Sequence, residues 1–449
     1  MIIQNSDELT SKGNIRGRGT VLKIIEGALE QVNSYDLIME QVKLNDDLKI
    51  GPLTYDLKKI KDIFLIGGGK QVTFAACALE DILQDKIREG VVVEKKGGGR
   101  KTKKIRVVEG SHPIPDESSA IGGEEILRIA RKAEKDDLVI VCVTGGCTSL
   151  TMLPPEGITL EDVRKVCNLL LNSGAPLEDM NTVRKHLSQV GGGKLSMAAH
   201  QAEVVSLIAV DEVAGLPWGP TVPDTTSFSD AKHVLVRYDL WDKIPSSARD
   251  YFEKADIDQE TPKSTDFERM GVRAHHVIFA ENRMLCRAAE RTATELGLRP
   301  VTISTSVEGE AKDVGVILAS IAKEIETNER PFNYPCVLVA GGETTVTIQG
   351  EHGEGGRNQE LALAAALKIA GSKKITIASI GTDGTDGPTD LAGAIVDGYS
   401  LERARRAGID AVECLRMHDS SSAFRRLHDA IRTGDTGTNL MDLMIVCVS

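Results

Sequence analysis

The chain has 449 residues, of which 41% are hydrophobic and 27% charged, and it carries a formal net charge of −12. That length can bury a large core and favours at least two domains, while the acidic balance argues against nucleic acid as the main partner. Only 4% of the residues are aromatic but 43 are glycine, which suits aliphatic strands joined by Gly-rich turns better than an aromatic recognition surface.

The amino terminus lacks the charged and apolar regions of a signal peptide, and no apolar run is long enough to span a bilayer. Eight scattered cysteines form no Cys-x-x-Cys pair, so free thiols in a reducing, cytoplasmic setting are expected.

The first motif follows Asp62-Ile-Phe-Leu-Ile66, which reads as a buried strand. Gly67-Gly-Gly-Lys70 is the turn after it, and Val72 to Leu83 reads as a helix. Backbone N–H groups at a helix start, with a lysine beside them, make a cationic pocket suited to phosphate. The turn also carries the first part of a G-x-G-x-x-G fingerprint, with Glu94 where a ribose-binding acid would sit. Val72 stands at the third glycine position and Lys70 fills the tight turn, so the dinucleotide match is weak. The basic cluster Lys95-Lys-Gly-Gly-Gly-Arg-Lys-Thr-Lys-Lys104 lies between two strand-like runs and is expected to be a solvated hairpin tip.

Further along, Leu138 to Val143 is a second buried run leading into Thr144-Gly-Gly-Cys-Thr-Ser149. Asn181-Thr-Val-Arg-Lys-His-Leu-Ser188 packs cations and hydrogen-bonding residues just before Gly191-Gly-Gly-Lys194. Leu195 follows that lysine, so no P-loop is present. The run Val204 to Val210 ends at Asp211. Between about Trp241 and Arg273 the chain turns polar and turn-rich, which places the division between a domain at 1–262 and one at 263–449.

Alternation then restarts, with strands at 276–280 and 300–304 and a helix between them. Tyr334 to Ala340 leads into Gly341-Gly-Glu-Thr-Thr345. Gly355-Gly-Arg-Asn-Gln-Glu360 opens a helix over 361–370, which puts Arg357 at the positive end of a helix dipole. A cation there is unfavourable for the helix and points to an anionic ligand or a buried carboxylate partner. The run 375–380 enters Gly381-Thr-Asp-Gly-Thr-Asp-Gly-Pro-Thr-Asp390, a loop whose N–H groups and carboxylates suit a ligand, a metal, or both. Thr433 to Asn439, before a last strand at 443–447, reads equally as a terminal turn or as part of a site. Continuous apolar strands alternating with helices indicate mostly parallel sheet, with ligands beyond the carboxyl ends of the strands. No H-E-x-x-H, G-x-S-x-G or protein-kinase signature occurs.

Taken in order, these segments resemble the class II glycerate kinases, whose carboxyl-terminal module is the MOFRL domain. The resemblance covers nearly the whole chain. It includes Gly67 to Lys70, His112-Pro-Ile-Pro-Asp116, the Thr144 turn, Asn181 to Ser188, Gly219-Pro-Thr221 and Glu308-Gly-Glu310. It closes with Gly341 to Thr345, Gly356 to Glu360, Gly381 to Asp390 and Thr436-Gly-Thr-Asn439. The chain departs from the pattern at Thr144, Cys147 and Thr148, at Pro217-Trp218, and at His418 before Asp419-Ser420.

The resemblance implies an α/β fold of two domains with the active-site cleft between them. The first is a doubly wound, Rossmann-like parallel sheet; the second is a smaller mixed α/β MOFRL domain. It implies ATP-dependent transfer of the γ-phosphoryl group to a hydroxyl of D-glycerate, giving 2-phosphoglycerate, with 3-phosphoglycerate as the alternative product, and with Mg²⁺ or another divalent cation. Lys70, Arg184 and Arg357 are then candidates for holding the carboxylate and the phosphoryl charge. Asp211 is the candidate base, and Asp383 and Asp386 the candidate metal ligands. Gly68, Gly69, Thr144, Gly145, Gly146, Ser149, Asn181, Lys185, Glu343, Thr344 and Asn358 complete the expected substrate- and phosphate-binding set. Partners are expected to be small molecules, with neither nucleic acid nor membrane, and a homodimer is compatible with the chain. The competing readings are an NAD(P)-dependent hydroxypyruvate reductase and a noncatalytic phosphometabolite-binding protein.

Overall fold

A computed structural model describes residues 2–210 and 218–449. Over these residues one unit spans 34–210 and 218–280, and the other spans 2–33 and 281–449.

The first unit opens with a small antiparallel sheet of β1 (Val42–Leu44), β2 (Asp47–Ile50) and β3 (Leu53–Asp56). Its main sheet comprises β4 (Ile63–Gly68), β5 (Ile87–Lys95), β6 (Arg106–Gly110), β7 (Leu138–Val143), β8 (Glu203–Val210) and β9 (Arg273–Glu281), in the order β6-β5-β4-β7-β8-β9. The pairings from β6 through β8 are all parallel. β4 and β7 are buried along their whole length, as expected for central strands covered on both faces. Phe64, Ile66, Val139, Val141 and Ile208 supply the core on one side. The register sets Gly68 opposite Val143, so the two Gly-rich turns emerge side by side.

The basic cluster is not a hairpin tip. β5 and β6, which flank it, run parallel, so the chain between them must cross over rather than turn back. It is drawn across the end of the helix Val72–Leu83, where Glu80 accepts the backbone N–H groups of Lys103, Lys104 and Ile105.

The second unit holds β10 (Arg299–Val307), β11 (Cys336–Gly342), β12 (Ile375–Gly381), β13 (Gly393–Asp397), β14 (Ala430–Ile431) and β15 (Asp442–Val448), in the order β10-β11-β15-β12-β13-β14. Only β10 and β11 are parallel; the other pairings are antiparallel, which makes this the mixed α/β member of the pair. Because β15 runs against both β11 and β12, Asp442 at its start lies opposite Gly342 on one side and Gly381 on the other.

The units divide differently from the domains expected at 1–262 and 263–449, for two physical reasons. The polar stretch expected to hold the division is stitched into the first unit, where the Glu260 carboxylate binds His186 and the N–H groups of Phe228 and Thr261. The helix Ile15–Gln31 buries Val21, Leu22, Ile25 and Leu29 and packs on the helix Asn282–Glu295 and on β15, so it belongs with the second unit.

Candidate active site

In the first unit the turns after β4 and β7 clasp each other. Lys70 N donates to Gly145 O at 2.7 Å, Thr144 N to Gly68 O at 3.2 Å, and Thr144 Oγ1 to Lys70 O at 2.9 Å. Gly69 adopts φ +132°, and a Cβ there would meet Thr144 Oγ1 at 2.2 Å. The close approach of the two turns therefore requires glycine. Gly146, at φ +81°, lies under the His112 ring, whose Cδ2 would be 2.7 Å from an added Cβ. Ser149 Oγ donates to Pro113 O at 2.8 Å and Asp116 accepts from Ser111, so the loop carrying His112 is pinned on both sides. Gly68, Gly69, Lys70, Thr144, Gly145, Gly146 and Ser149 are thus brought together, with Ser149 serving the loop.

Glu94 is not placed for a ribose. Its Oε1 accepts the backbone N–H groups of Gln71 and Lys95, each at 2.9 Å. Its Oε2 accepts from Thr73 N at 3.2 Å and Thr73 Oγ1 at 3.0 Å. A buried carboxylate of the chain itself therefore holds the start of the helix Val72–Leu83, where a dinucleotide would set its pyrophosphate. Burial pushes this carboxyl above its ordinary value, against the pull of those donors.

Asn181, Arg184 and Lys185 all lie on the helix Leu177–His186, which packs against the short helix Cys147–Leu150 of the second turn. Lys185 is paired with the buried Asp224 at 2.6 Å. His186 is fixed between Thr182 O at 2.7 Å and Glu260 at 2.8 Å. Asp211 and Pro217 lie outside the described residues, and the neighbouring Trp218 packs on the core of the main sheet.

In the second unit Arg357 begins the helix Arg357–Lys368, and its partner is a carboxylate, one of the two alternatives its position suggested. Nε and Nη2 meet Asp442 at 2.7 and 2.9 Å, and Nη1 meets Glu343 at 2.7 Å. Burial opposes the charge, but these carboxylates hold the guanidinium well above its ordinary value. Asn358 donates to Asp442 and accepts from Ser379, which ties β12, β15 and the helix together. Asp386 turns inward. Its Oδ1 takes Asn358 N and Nδ2, and its Oδ2 takes Gln359 N and Nε2. Burial pushes Asp386 up to about 6. Asp383 accepts from the backbone and hydroxyl of Thr385, and Thr344 is buried. Glu343, Thr344, Arg357, Asn358, Asp383 and Asp386 thus gather at the β11, β12 and β15 ends. The loop Thr436–Asn439 joins them, since Thr436 Oγ1 donates to Thr382 O. Among the described residues no group of three or more His, Cys, Asp or Glu side chains is arranged to hold a metal ion.

Sequence reasoning missed Asp442, Asp224 and Glu260. Asp442 had a usable signal, a lone acid heading an otherwise apolar strand; the other two had none.

Comparison with known proteins fits this geometry. Residues 20–253 match a family model described as a domain of unknown function (DUF4147), and residues 336–442 match the MOFRL family. A glycerate 2-kinase of Pyrococcus horikoshii is 40% identical over 432 residues, covering 95% of this chain and 96% of that protein. The chain belongs to the glycerate kinase family, with a carboxyl-terminal MOFRL domain. The crystal structure of a family member, the glycerate kinase of Thermotoga maritima, superposes with a TM-score of 0.77 at 34% identity, covering 96% of this chain and 99% of that one. An Agrobacterium vitis relative, 38% identical over 389 residues and covering 86% of this chain and 98% of that protein, carries a provisional name as a hydroxypyruvate reductase. In the present chain the helix start after the Gly67–Lys70 turn is closed by Glu94, which leaves that name little support here. No helix among the described residues is long and apolar enough to cross a membrane.

Proposed function

We propose that the protein transfers the γ-phosphoryl group of ATP to the 2-hydroxyl of D-glycerate, giving 2-phosphoglycerate and ADP, in the cytoplasm. The observation that carries this reading is the clasped pair of turns around Lys70, with the adjacent helix start already filled by Glu94. Such a turn brings a lysine to a phosphoryl group and leaves no seat for a dinucleotide. Phosphoryl transfer depends mainly on positioning and charge neutralisation, which suits it.

In this reading Lys70, Gly68, Gly69, Thr144, Gly145 and Gly146 line the phosphoryl path, and Asn181 and Arg184 face the acid. The O–P bond to ADP breaks as the hydroxyl oxygen bonds phosphorus, and Asp211 takes the hydroxyl proton. Lys185, Ser149, Glu343, Asn358 and Arg357 act through their internal bonds, holding the loops and helices that bear the site. Asp383 is the carboxylate that would hold Mg²⁺, in keeping with the few carboxylates this ion takes. Bound there, the ion would neutralise phosphate charge. Asp386, with both oxygens committed to the helix start, supports the loop instead.

A coupled ADP-release assay with MgATP and a panel of small hydroxy acids tests the reading, repeated with EDTA and with the product assigned by NMR. Turnover of D-glycerate that stops with EDTA and yields the 2-phosphate is expected. Absence of ADP release with every acid, or NADH oxidation by hydroxypyruvate, would overturn it.

A further inference from the structure

Three consecutive basic residues close the helix Leu177–His186, and the fold supplies two of them with carboxylates. Lys185 has Asp224 and His186 has Glu260. Arg184 has neither. The residue is only 5% exposed, and its Nε and Nη2 are buried without a hydrogen-bond partner among the described residues. The guanidinium lies against the Cys167 thiol, which burial pushes up and the Arg184 charge and hydrogen bond pull down; a thiol is no carboxylate counter-ion.

Nε and Nη2 form one edge of a guanidinium, with two N–H bonds directed the same way. Arg357 presents the same edge to Asp442, and both of its donors are satisfied. Among the described residues, therefore, one arginine edge is filled by a carboxylate of the chain and another meets none. Buried donors without partners are rare and costly, and a guanidinium cannot shed its charge. Two parallel donors match the spacing of a planar carboxylate.

We propose that the Nε/Nη2 edge of Arg184 is the carboxylate receptor for the acid substrate, and that Arg357 is a structural cation committed to Asp442 and Glu343. The identity of the acid rests on the kinase reading above; the receptor does not. The receptor's helix packs on the turn that clasps Lys70, so one unit carries both the acid's anchor and the phosphoryl-side lysine.

The experiment compares the full-length wild type with Arg184→Met and with Arg184→Lys, which keeps the charge and loses the planar edge. KM is measured for D-glycerate and for MgATP. The rise in thermal midpoint given by D-glycerate alone, glycerol alone and inorganic phosphate alone is measured beside it. Expected are a KM for D-glycerate raised about 10- to 100-fold in both variants and an unchanged KM for MgATP. D-glycerate, but not glycerol or phosphate, should shift the wild type, and neither variant should respond. An unchanged KM for the acid overturns the proposal, as does a parallel rise in both KM values. A wild-type shift produced by phosphate but not by D-glycerate also overturns it. Should Arg184→Met not fold, Arg184→Lys is read by the same criteria. Should the wild type turn over no acid, the kinase reading fails, and the midpoint shifts alone decide the receptor: a carboxylate shift lost in the variants supports it and no carboxylate shift overturns it.

Discussion

Asp442 meets Arg357 edge to edge, its Oδ2 taking Nε at 2.7 Å and its Oδ1 taking Nη2 at 2.9 Å. Asp442 is fully buried and Arg357 keeps 31% of its side chain exposed. Removing one partner of a buried pair leaves an uncompensated charge, at a cost of about 3–5 kcal/mol. Arg357→Met strands Asp442 between β11 and β12 and should fall in that range. Asp442→Asn, whose cation retains Glu343 and some solvent, should cost less. Urea unfolding of both variants is the check; an Arg357→Met midpoint equal to wild type would remove Arg357 from its structural role.

Glu94 gives a second prediction. It holds the start of the helix Val72–Leu83 with both oxygens, so Glu94→Ala should destabilise the protein by about 2–3 kcal/mol through a lost cap and buried, unpaired N–H groups. The vacated helix start should then take up an anion. Sulfate should raise the thermal midpoint of Glu94→Ala more than that of the wild type. Equal responses to sulfate, or a variant as stable as wild type, would show that the carboxylate is not the helix's counter-charge.

Which of these relationships could be seen in the sequence follows their range along the chain. The helix Val72–Leu83 and strands β4, β7, β11 and β12 declare themselves locally, through apolar periodicity bounded by glycine. Arg357 at a helix start announced that some anion must answer it. The answer, Asp442, stands 85 residues later, where nothing local connects the two. Lys185 and Asp224 are separated in the same way, which is why Lys185 reads in sequence as a ligand-facing cation. The basic cluster at 95–104 has the glycines of a hairpin, but β5 and β6 run parallel and the crossing chain is held by Glu80 on another element. The amphipathic face of Ile15–Gln31 predicts burial without saying against what.

A third prediction concerns pH. Burial pushes Asp386 up to about 6 from an ordinary value of 3.8, with its four donors and Arg357 pulling the other way. An acid raised in this way contributes stability that is fully present below its ordinary value and lost as pH rises through the folded value. Asp386→Asn keeps an oxygen for the helix start and carries no charge at any pH. The advantage of wild type over Asp386→Asn should therefore be largest near pH 4 and shrink, by on the order of 2 kcal/mol, as pH rises past 6. Denaturant unfolding at several pH values reads this difference directly. An advantage that grows with pH would mean that the donors and Arg357 outweigh burial.

Arg18 supplies the last prediction, and it tests why the amino-terminal helix belongs to the second unit. Its guanidinium is wholly buried, with Nε on Asp397, Nη1 at 2.8 Å from Asp429 and Nη2 on Ser400. Asp397 closes β13, and Asp429, which also binds Arg403, immediately precedes β14. Arg18 is thus the bolt between the helix Ile15–Gln31 and one edge of the mixed sheet. Arg18→Met leaves the buried Asp397 without its cation and Asp429 with Arg403 alone, so a loss of about 3–5 kcal/mol is expected. Arg18→Lys should recover little of it, because a single ammonium cannot serve both carboxylates with fixed forked donors. Hydrogen exchange should accelerate in β13 and β14 while β4 and β7 stay protected. Uniform acceleration across both sheets would instead make Arg18 a contributor to global stability, with no special hold on the edge it joins.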